Sequence, residues 1–305
     1  MCLAGVLESF QDGAEDILRR FAGVRLSPSS VRRTTEEAGA SLARRQQRGD
    51  IVVARPWRVR DFRIEDHRHT AAYVGLDAFS VPIQGPKGAK ADHRMIYAAV
   101  LYNPDKSRSH YLADFDLDAL AVQMRQAVRA LGLGKANQLI AITDAGNGLE
   151  EALRGHFWQD MTCILDWYHA SQHLHGYAAL AHPDAAQAAS WADRAKGILY
   201  EEGGEKLLEY LRTLAVPEEA PVAEERRKLI GYFENNVHRT DYPSYRSHGW
   251  DIGSGPTEAA CKIVGARLKG SGMRWYESGA AQVAPLRALY HSGAETWDAF
   301  WALAA

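Results

Sequence analysis

Three times in this chain an apolar, strand-like run meets an aspartate: Tyr73-Val74-Gly75-Leu76-Asp77, Leu139-Ile140-Ala141-Ile142-Thr143-Asp144 and Cys163-Ile164-Leu165-Asp166. A carboxylate at the edge of an apolar strand is costly to bury unless it is paired, hydrogen-bonded or bound to a metal. Strand ends of α/β sheets are also where ligand sites gather. Taken singly, each aspartate reads as a turn or cap residue. Taken together, two or more at one end of a sheet would repel each other unless a divalent cation neutralised them. Oxygen-only ligands suit Mg²⁺ or Mn²⁺ rather than Zn²⁺.

The runs sit in an α/β pattern. Residues 70–83, 94–103 and 109–115 read as strands, with Pro82 marking the end of the first. Residues 116–134 form an amphipathic helix closed by Gly132 or Gly134. Residues 138–148 read as a strand running into a turn, followed by a short helix (149–157), a strand to Asp166 and another helix. Residues 178–245 are helical and charged, and read as an inserted helical bundle. A Gly-rich loop, a helix and a second Gly turn span 252–275, and a helical tail rich in Trp and Leu spans 277–303. The expected organisation is a helical segment over 1–50 and an α/β domain over 51–305 that carries the insertion. In the first segment, Gly23 ends a short helix (14–21), and Ser27 with Pro28 opens a second that carries Arg32, Arg33, Arg44 and Arg45. That arrangement fits a helix-turn-helix on DNA, and equally an ordinary helical hairpin.

Composition excludes several alternatives. With 305 residues, 46% of them hydrophobic, the chain can build a sizeable core. Its 26 Gly and 11 Pro are too few for a low-complexity chain. No apolar run approaches 18 residues, and the first residues lack the basic start of a secretory leader. Cys2, Cys163 and Cys261 make no disulfide framework, which suits a reducing cytoplasm. The net charge of −2 hides an uneven distribution. Residues 25–48 hold six Arg against Glu36 and Glu37, and 226–275 hold nine Lys or Arg against four acids, whereas 178–225 are strongly acidic.

Glu258 falls in the first turn of a helix opened by Pro256. An early-turn Glu suits the helix dipole, and a helix end can equally deliver a third carboxylate to a metal site. His169 and His173, four apart, share a helix face, as zinc pairs do. No Glu follows the first histidine as in a metalloprotease, so packing or phosphate contact competes with metal binding. Arg267, Lys269, Arg274 and Trp275 join cations, glycines and an aromatic, a mixture that can follow a phosphate backbone and stack on an unpaired base. A helix C-terminus with a Gly cap explains the first part of that stretch without DNA.

The order of five motifs is more specific than any of these sites. YVGLDA (73–78), ITDAGNG (142–148), ILDWYHASQHL (164–174), IGSGPTEAACKIVGARLKGSGMRW (252–275) and LRALYHSGAETWDAFW (286–301) resemble the motif series of bacterial insertion-sequence DDE transposases of the ISKra-type group. The resemblance spans roughly residues 14–303 and is most specific over 252–275. It implies an RNase H-like fold, a mixed sheet flanked by helices with a helical insertion before the last catalytic helix. It places the catalytic, metal-holding acids on Asp77, Asp144 and Glu258, and puts Asp166-x-x-His169 beside the site. It further implies two Mg²⁺ or Mn²⁺ ions, strand cleavage and strand transfer on DNA, a homodimer, and a bacterial, nucleoid-associated location. Arg32, Arg33, Arg267, Lys269, Arg274 and Trp275 are the expected DNA contacts. Members of this group run longer at the N-terminus, so a shortened, inactive DNA-binding remnant is the alternative. A zinc-dependent hydrolase built on Cys163, Asp166, His169 and His173 is a third reading.

Overall fold

Side chains two apart on a strand face the same way, so the apolar runs present two coverable faces and pair into a sheet. The computed structural model describes residues 1–65, 69–85, 92–146, 148–157, 161–214, 221–270 and 272–303. Its five strands are β1 (Ala71–Ile83), β2 (Asp92–Tyr102), β3 (Ser109–Asp114), β4 (Gln138–Thr143) and β5 (Met161–Leu165). They form one mixed sheet in the order β3-β2-β1-β4-β5. β1, β2 and β3 are antiparallel neighbours, whereas β4 runs parallel to β1 and β5 parallel to β4. β1 ends at Ile83, one residue past Pro82, as its sequence indicated, with Ile83 paired to Asp92.

Helices flank this sheet, so the α/β class holds. Before it come α1 (Cys2–Leu7), α2 (Phe10–Asp12) and α3 (Pro28–Gln47); in its crossovers lie α4 (Leu117–Leu131) and α5 (Leu149–Phe157). α6 (Trp167–Ala181) follows β5 and runs into the expected insertion (178–245), which supplies α7 (Ala185–Glu202), α8 (Gly204–Thr213), α9 (Pro221–Asn236) and most of α10 (Tyr242–Ser247). The chain closes with α11 (Gly255–Leu268), α12 (Glu277–His291) and α13 (Ala294–Ala302). Residues 215–220 of the expected bundle, Asn147 of the turn after β4 and Ser271 of the second Gly turn lie outside the described residues.

Local chemistry sets the helix ends. The Ser27 hydroxyl accepts the Ser30 N–H at 3.1 Å and Pro28 opens α3. Gly132, at φ 76°, closes α4 in the left-handed region. The expected short helix over 14–21 winds as a π-helix (Gly13–Phe21), with the Ala22 N–H reaching the Ile17 carbonyl.

The two sheet faces are covered differently. Tyr73, Phe79 and Val81 of β1 pack with Ile140, Ile142 and Ile164 beneath α6, α11 and α12. Val74 and Leu76 face the other way, with Leu101, Ala141 and Cys163, against α4 and α5. The bundle does not build a core of its own: Leu199, Leu207, Leu211 and Phe233 join the first cluster. The helices of residues 1–50 share a core with the C-terminal helices through Val6, Leu42, Leu286, Trp297 and Phe300. Arg287 strengthens that seam by donating to the carbonyls of Val6 (3.2 Å) and Leu7 (3.4 Å). Among the described residues no helix is long and apolar enough to cross a membrane.

Candidate active site

Every second residue of β1 meets every fourth residue of α11. Thr257 lies against Gly75, Cys261 against Asp77, and Gly265 against Phe79. Four helical residues rise about 6 Å and two strand residues about 6.6 Å, so the two periods mesh. The approach is close: a β-carbon at position 75 would lie 1.9 Å from Thr257 Oγ1. Glycine at 75 therefore sets how near the helix comes to the strand. Glu258, one residue beyond Thr257, then lines the same cavity of about 400 Å³ as Asp77, Cys261, Lys262 and Lys269.

The neighbouring strand brings the second aspartate. Gly75 pairs with Ile142 at the end of the parallel β1–β4 ladder, so Asp77 lies two residues beyond that pair on β1, and Asp144 two residues beyond it, just past the end of β4. Asp144 Oδ1 accepts the Gly146 N–H at 3.1 Å, and Asp77 Oδ1 accepts the Ala78 N–H at 2.6 Å. Asp166 follows β5 and caps the helix after it, wholly buried. Its Oδ1 accepts the backbone N–H of Ser254 at 2.7 Å, in the loop that leads into α11. Its Oδ2 accepts the His169 N–H at 3.1 Å and lies 2.8 Å from His169 Nδ1, an ion-pair distance with the ring N–H off the bonding line. Asp166 thus fastens β5, the start of α6 and the approach to Glu258 to one another.

These contacts polarise the site. Burial pushes the Asp77 carboxyl above its usual range; the Ala78 N–H and the Cys261 thiol act against this, and the Asp144 charge adds to it. Burial alone would raise Asp166 too, but His169 and Ser254 outweigh it and hold that carboxyl below its usual range. Asp166 in turn raises His169, despite partial burial, and the charges of Asp144 and Asp77 act in the same direction. Burial and the nearby Asp77 carboxylate push the Cys261 thiol far up, so the thiol stays protonated and donates to Asp77 Oδ2 at 3.4 Å.

A buried cation from the insertion braces the Asp144 loop. Arg239 is fully buried, and its guanidinium donates to Thr143 Oγ1 (3.2 Å) and to the Asp144 carbonyl. It pairs with Glu150 Oε2 at 3.1 Å, and Glu150 also meets His238 (2.7 Å) and Arg154 (2.6 Å). Tyr242 of α10 donates to the Leu165 carbonyl at 2.9 Å, so the bundle also supports the end of β5. Sequence reasoning missed Arg239, Cys261 and Gly75. The four-residue spacing of the small residues Thr257, Cys261 and Gly265 was the available signal for a closely packed helix face.

The remaining expected residues scatter. Arg33 is exposed on α3, and Arg32 and Arg274 border another cavity. Lys269 holds its ammonium 5.5 Å above the Phe79 ring at the edge of the carboxylate cavity. Arg267 and Trp275 correct the expectation of surface DNA contacts, being only 3% and 6% exposed. The Arg267 Nε donates to the Gly5 carbonyl at 2.9 Å, and the Trp275 indole to the Leu268 carbonyl at 3.0 Å. Phe10, far away in sequence, covers the Arg267 guanidinium and the Trp275 ring and removes both from the surface. The zinc set is not assembled either: Cys163 lies on the opposite sheet face from α6, and the His173 ring packs 3.9 Å from that of Tyr232.

Among the described residues, no three His, Cys, Asp or Glu side chains gather closely enough to hold a metal ion. Glu258 Oε2 instead meets Lys262 at 3.3 Å, an exposed pair worth about 0.3–0.5 kcal/mol that leaves the carboxylate free to turn. Asp77 on β1, Asp144 just after β4 and Glu258 on α11 are nonetheless all-oxygen donors, and Asp77 is destabilised as an anion by burial and further by Asp144, which a divalent cation would relieve. In chemistry they fit Mg²⁺ or Mn²⁺. No family model matches the chain, and no curated protein sequence matches it.

Proposed function

We propose that the chain is a DDE-type transposase that cleaves DNA phosphodiesters and transfers the freed strand, using two Mg²⁺ or Mn²⁺ ions. The observation that carries this reading is the shared cavity of Asp77 and Glu258, acids from a central strand and a late helix, with Asp144 close enough to raise Asp77. The mixed sheet, followed by a helical bundle ahead of the helix that bears Glu258, supports an RNase H-like fold.

Asp77, Asp144 and Glu258 would hold the ions, which when bound neutralise the attacking and leaving oxygens of an in-line phosphoryl displacement. The chain's own groups prepare that chemistry. Cys261 donates to Asp77 Oδ2, and the Ala78 N–H fixes Oδ1. Asp166 raises His169, which favours a positive charge beside Asp77 and Asp144. Lys262 and Lys269 on α11 offer phosphate contacts along the cavity edge. No Ser, Cys or Tyr nucleophile is required. A homodimer fits this reading, since two DNA ends must be joined.

The test is nicking of DNA that carries the sequences flanking the chain's own gene, with Mg²⁺ or Mn²⁺ added. Wild type should cleave, and Asp77→Asn and Glu258→Gln should not while still folding. Cleavage that survives both substitutions overturns the assignment of the acids. The Glu258–Lys262 pairing favours one second reading, a DNA-binding copy without catalysis. Binding without nicking by the wild-type chain selects it.

A further inference from the structure

Ala14, Leu18 and Phe21 stand at the positions i, i+4 and i+7 that share one face of an α-helix. Ala14 and Leu18 are buried, in a small core with Ala4 and Val31. The segment winds as a π-helix, however, and the wider turn rotates each residue through less than the α-helical step. Phe21, last in the series, falls behind the buried face. It is 89% exposed, and among the described residues no large apolar side chain is more so. The turn that follows fixes this placement. The Val24 N–H donates to the Leu18 carbonyl at 2.9 Å, and Gly23, at φ 69°, takes the left-handed conformation that closes the helix. Val24 is exposed as well.

The tip is also basic. Residues 19–33 carry Arg19, Arg20, Arg25, Arg32 and Arg33 and no acid, and all five side chains are exposed. Asp12, Glu15 and Asp16 lie earlier in the helix, so five arginines stand against three acids over residues 12–33. Among the described residues only Arg20 has an ion-pair partner, Asp16 at 3.0 Å, both exposed. An exposed ring forgoes the stabilisation of burial, and clustered cations repel one another. A polyanion with apolar faces inside it relieves both penalties. A membrane surface fits less well, since two projecting apolar side chains make a small anchor.

We propose that the tip over residues 19–25 is a wedge for duplex DNA: the Phe21 ring enters the stack at a flexible base step, and Arg19 and Arg25 take phosphates beside it. Arg32 and Arg33, in the second turn of α3, extend the phosphate contacts. Apolar wedges accompanied by arginine kink duplexes in this way, most easily at pyrimidine–purine steps. The proposal rests on the reading of the chain as a DNA enzyme and adds a place, apart from the carboxylates, where it deforms the duplex.

The test uses the full chain and a DNA duplex carrying a fluorescent aminopurine base at a central TA step, where emission rises when the step unstacks. Wild type should raise the emission severalfold. Phe21→Ser should abolish the rise and weaken binding about tenfold, while melting as wild type does, because the ring is so little buried. Phe21→Leu, which keeps an apolar wedge, should retain the rise. Arg19→Ala and Arg25→Ala should each lower the slope of log affinity against log salt by about one. Emission and affinity unchanged in Phe21→Ser overturn the proposal. A loss confined to binding of equimolar phosphatidylserine–phosphatidylcholine vesicles, or to self-association in sedimentation, overturns it too. The same preparations are assayed for nicking. Nicking without unstacking defeats the wedge alone, and unstacking without nicking supports the wedge and defeats only the cleavage reading.

Discussion

The Asp166 carboxylate and the Ser254 N–H are 88 residues apart in the chain and 2.7 Å apart in space. Through that bond a wholly buried acid at the end of β5 fixes the loop that delivers Glu258. The same acid holds His169, so one side chain governs both the position of a carboxylate and the charge of a neighbouring imidazole.

Asp166→Asn should therefore have a pH-dependent effect on stability. Asp166 is held below its usual 3.8, so its contribution is complete above that value and is lost as pH falls through the lowered one. His169 is raised above 6.5, so its contribution is complete below that value and is lost as pH rises through the raised one. The stability gap between wild type and variant, measured by urea unfolding, should be widest between about pH 4 and 6.5 and narrow on both sides. A gap independent of pH would mean that the pair is not charged.

Asp77→Asn should stabilise the fold while abolishing cleavage. The raised Asp77 carboxyl makes the folded state hold its proton more tightly than the unfolded chain does. Stability from this group is thus complete below about pH 4 and lost as pH rises through the raised value. At pH 7 the variant should melt about 2 °C higher, and the difference should disappear in acid. Added Mg²⁺ should raise the wild-type melting temperature and leave that of Asp77→Asn unchanged, because only a native state with its ligands gains from binding.

Gly75→Ala should displace α11, since the new methyl group would sit 1.9 Å from Thr257 Oγ1. We expect a loss of about 1–3 kcal/mol by chemical denaturation and a larger proportional loss of activity. Thr257→Ala in the same chain should recover part of the stability, because it removes the nearest atom. No recovery would place the strain elsewhere.

Arg239→Met should destabilise by about 3–5 kcal/mol, because Glu150 loses its buried partner and the Thr143–Asp144 segment loses two donors. Replacing Glu150 as well, with Gln, should cost less than the sum of the two single changes. A double-mutant cycle by urea unfolding measures this directly.

The strands, and aspartates at their ends, were legible because apolar runs are local signals that a sheet must obey, whereas the β1–β4 pairing that brings Asp77 and Asp144 together is a tertiary property. Glu258 was legible through the resemblance alone, since an early-turn glutamate looks the same whether it serves the helix dipole or a ligand. Arg239 was not legible. In a charged helical stretch a cation reads as solvated, and only the tertiary fold carries it to Thr143, 96 residues away. Arg267 and Trp275 failed for the converse reason: their place after a helix reads as surface, and the covering residue, Phe10, comes from the far end of the chain.

The interlocking of Thr257, Cys261 and Gly265 with Gly75, Asp77 and Phe79 also limits how the cavity can open. A toothed contact permits no gradual slippage: the next allowed seat lies a full step of about 6 Å away, where Glu258 would no longer face Asp77. On the proposed DNA reading, any widening of the cavity would have to come from the segments around the geared pair, since the pair itself holds its seat.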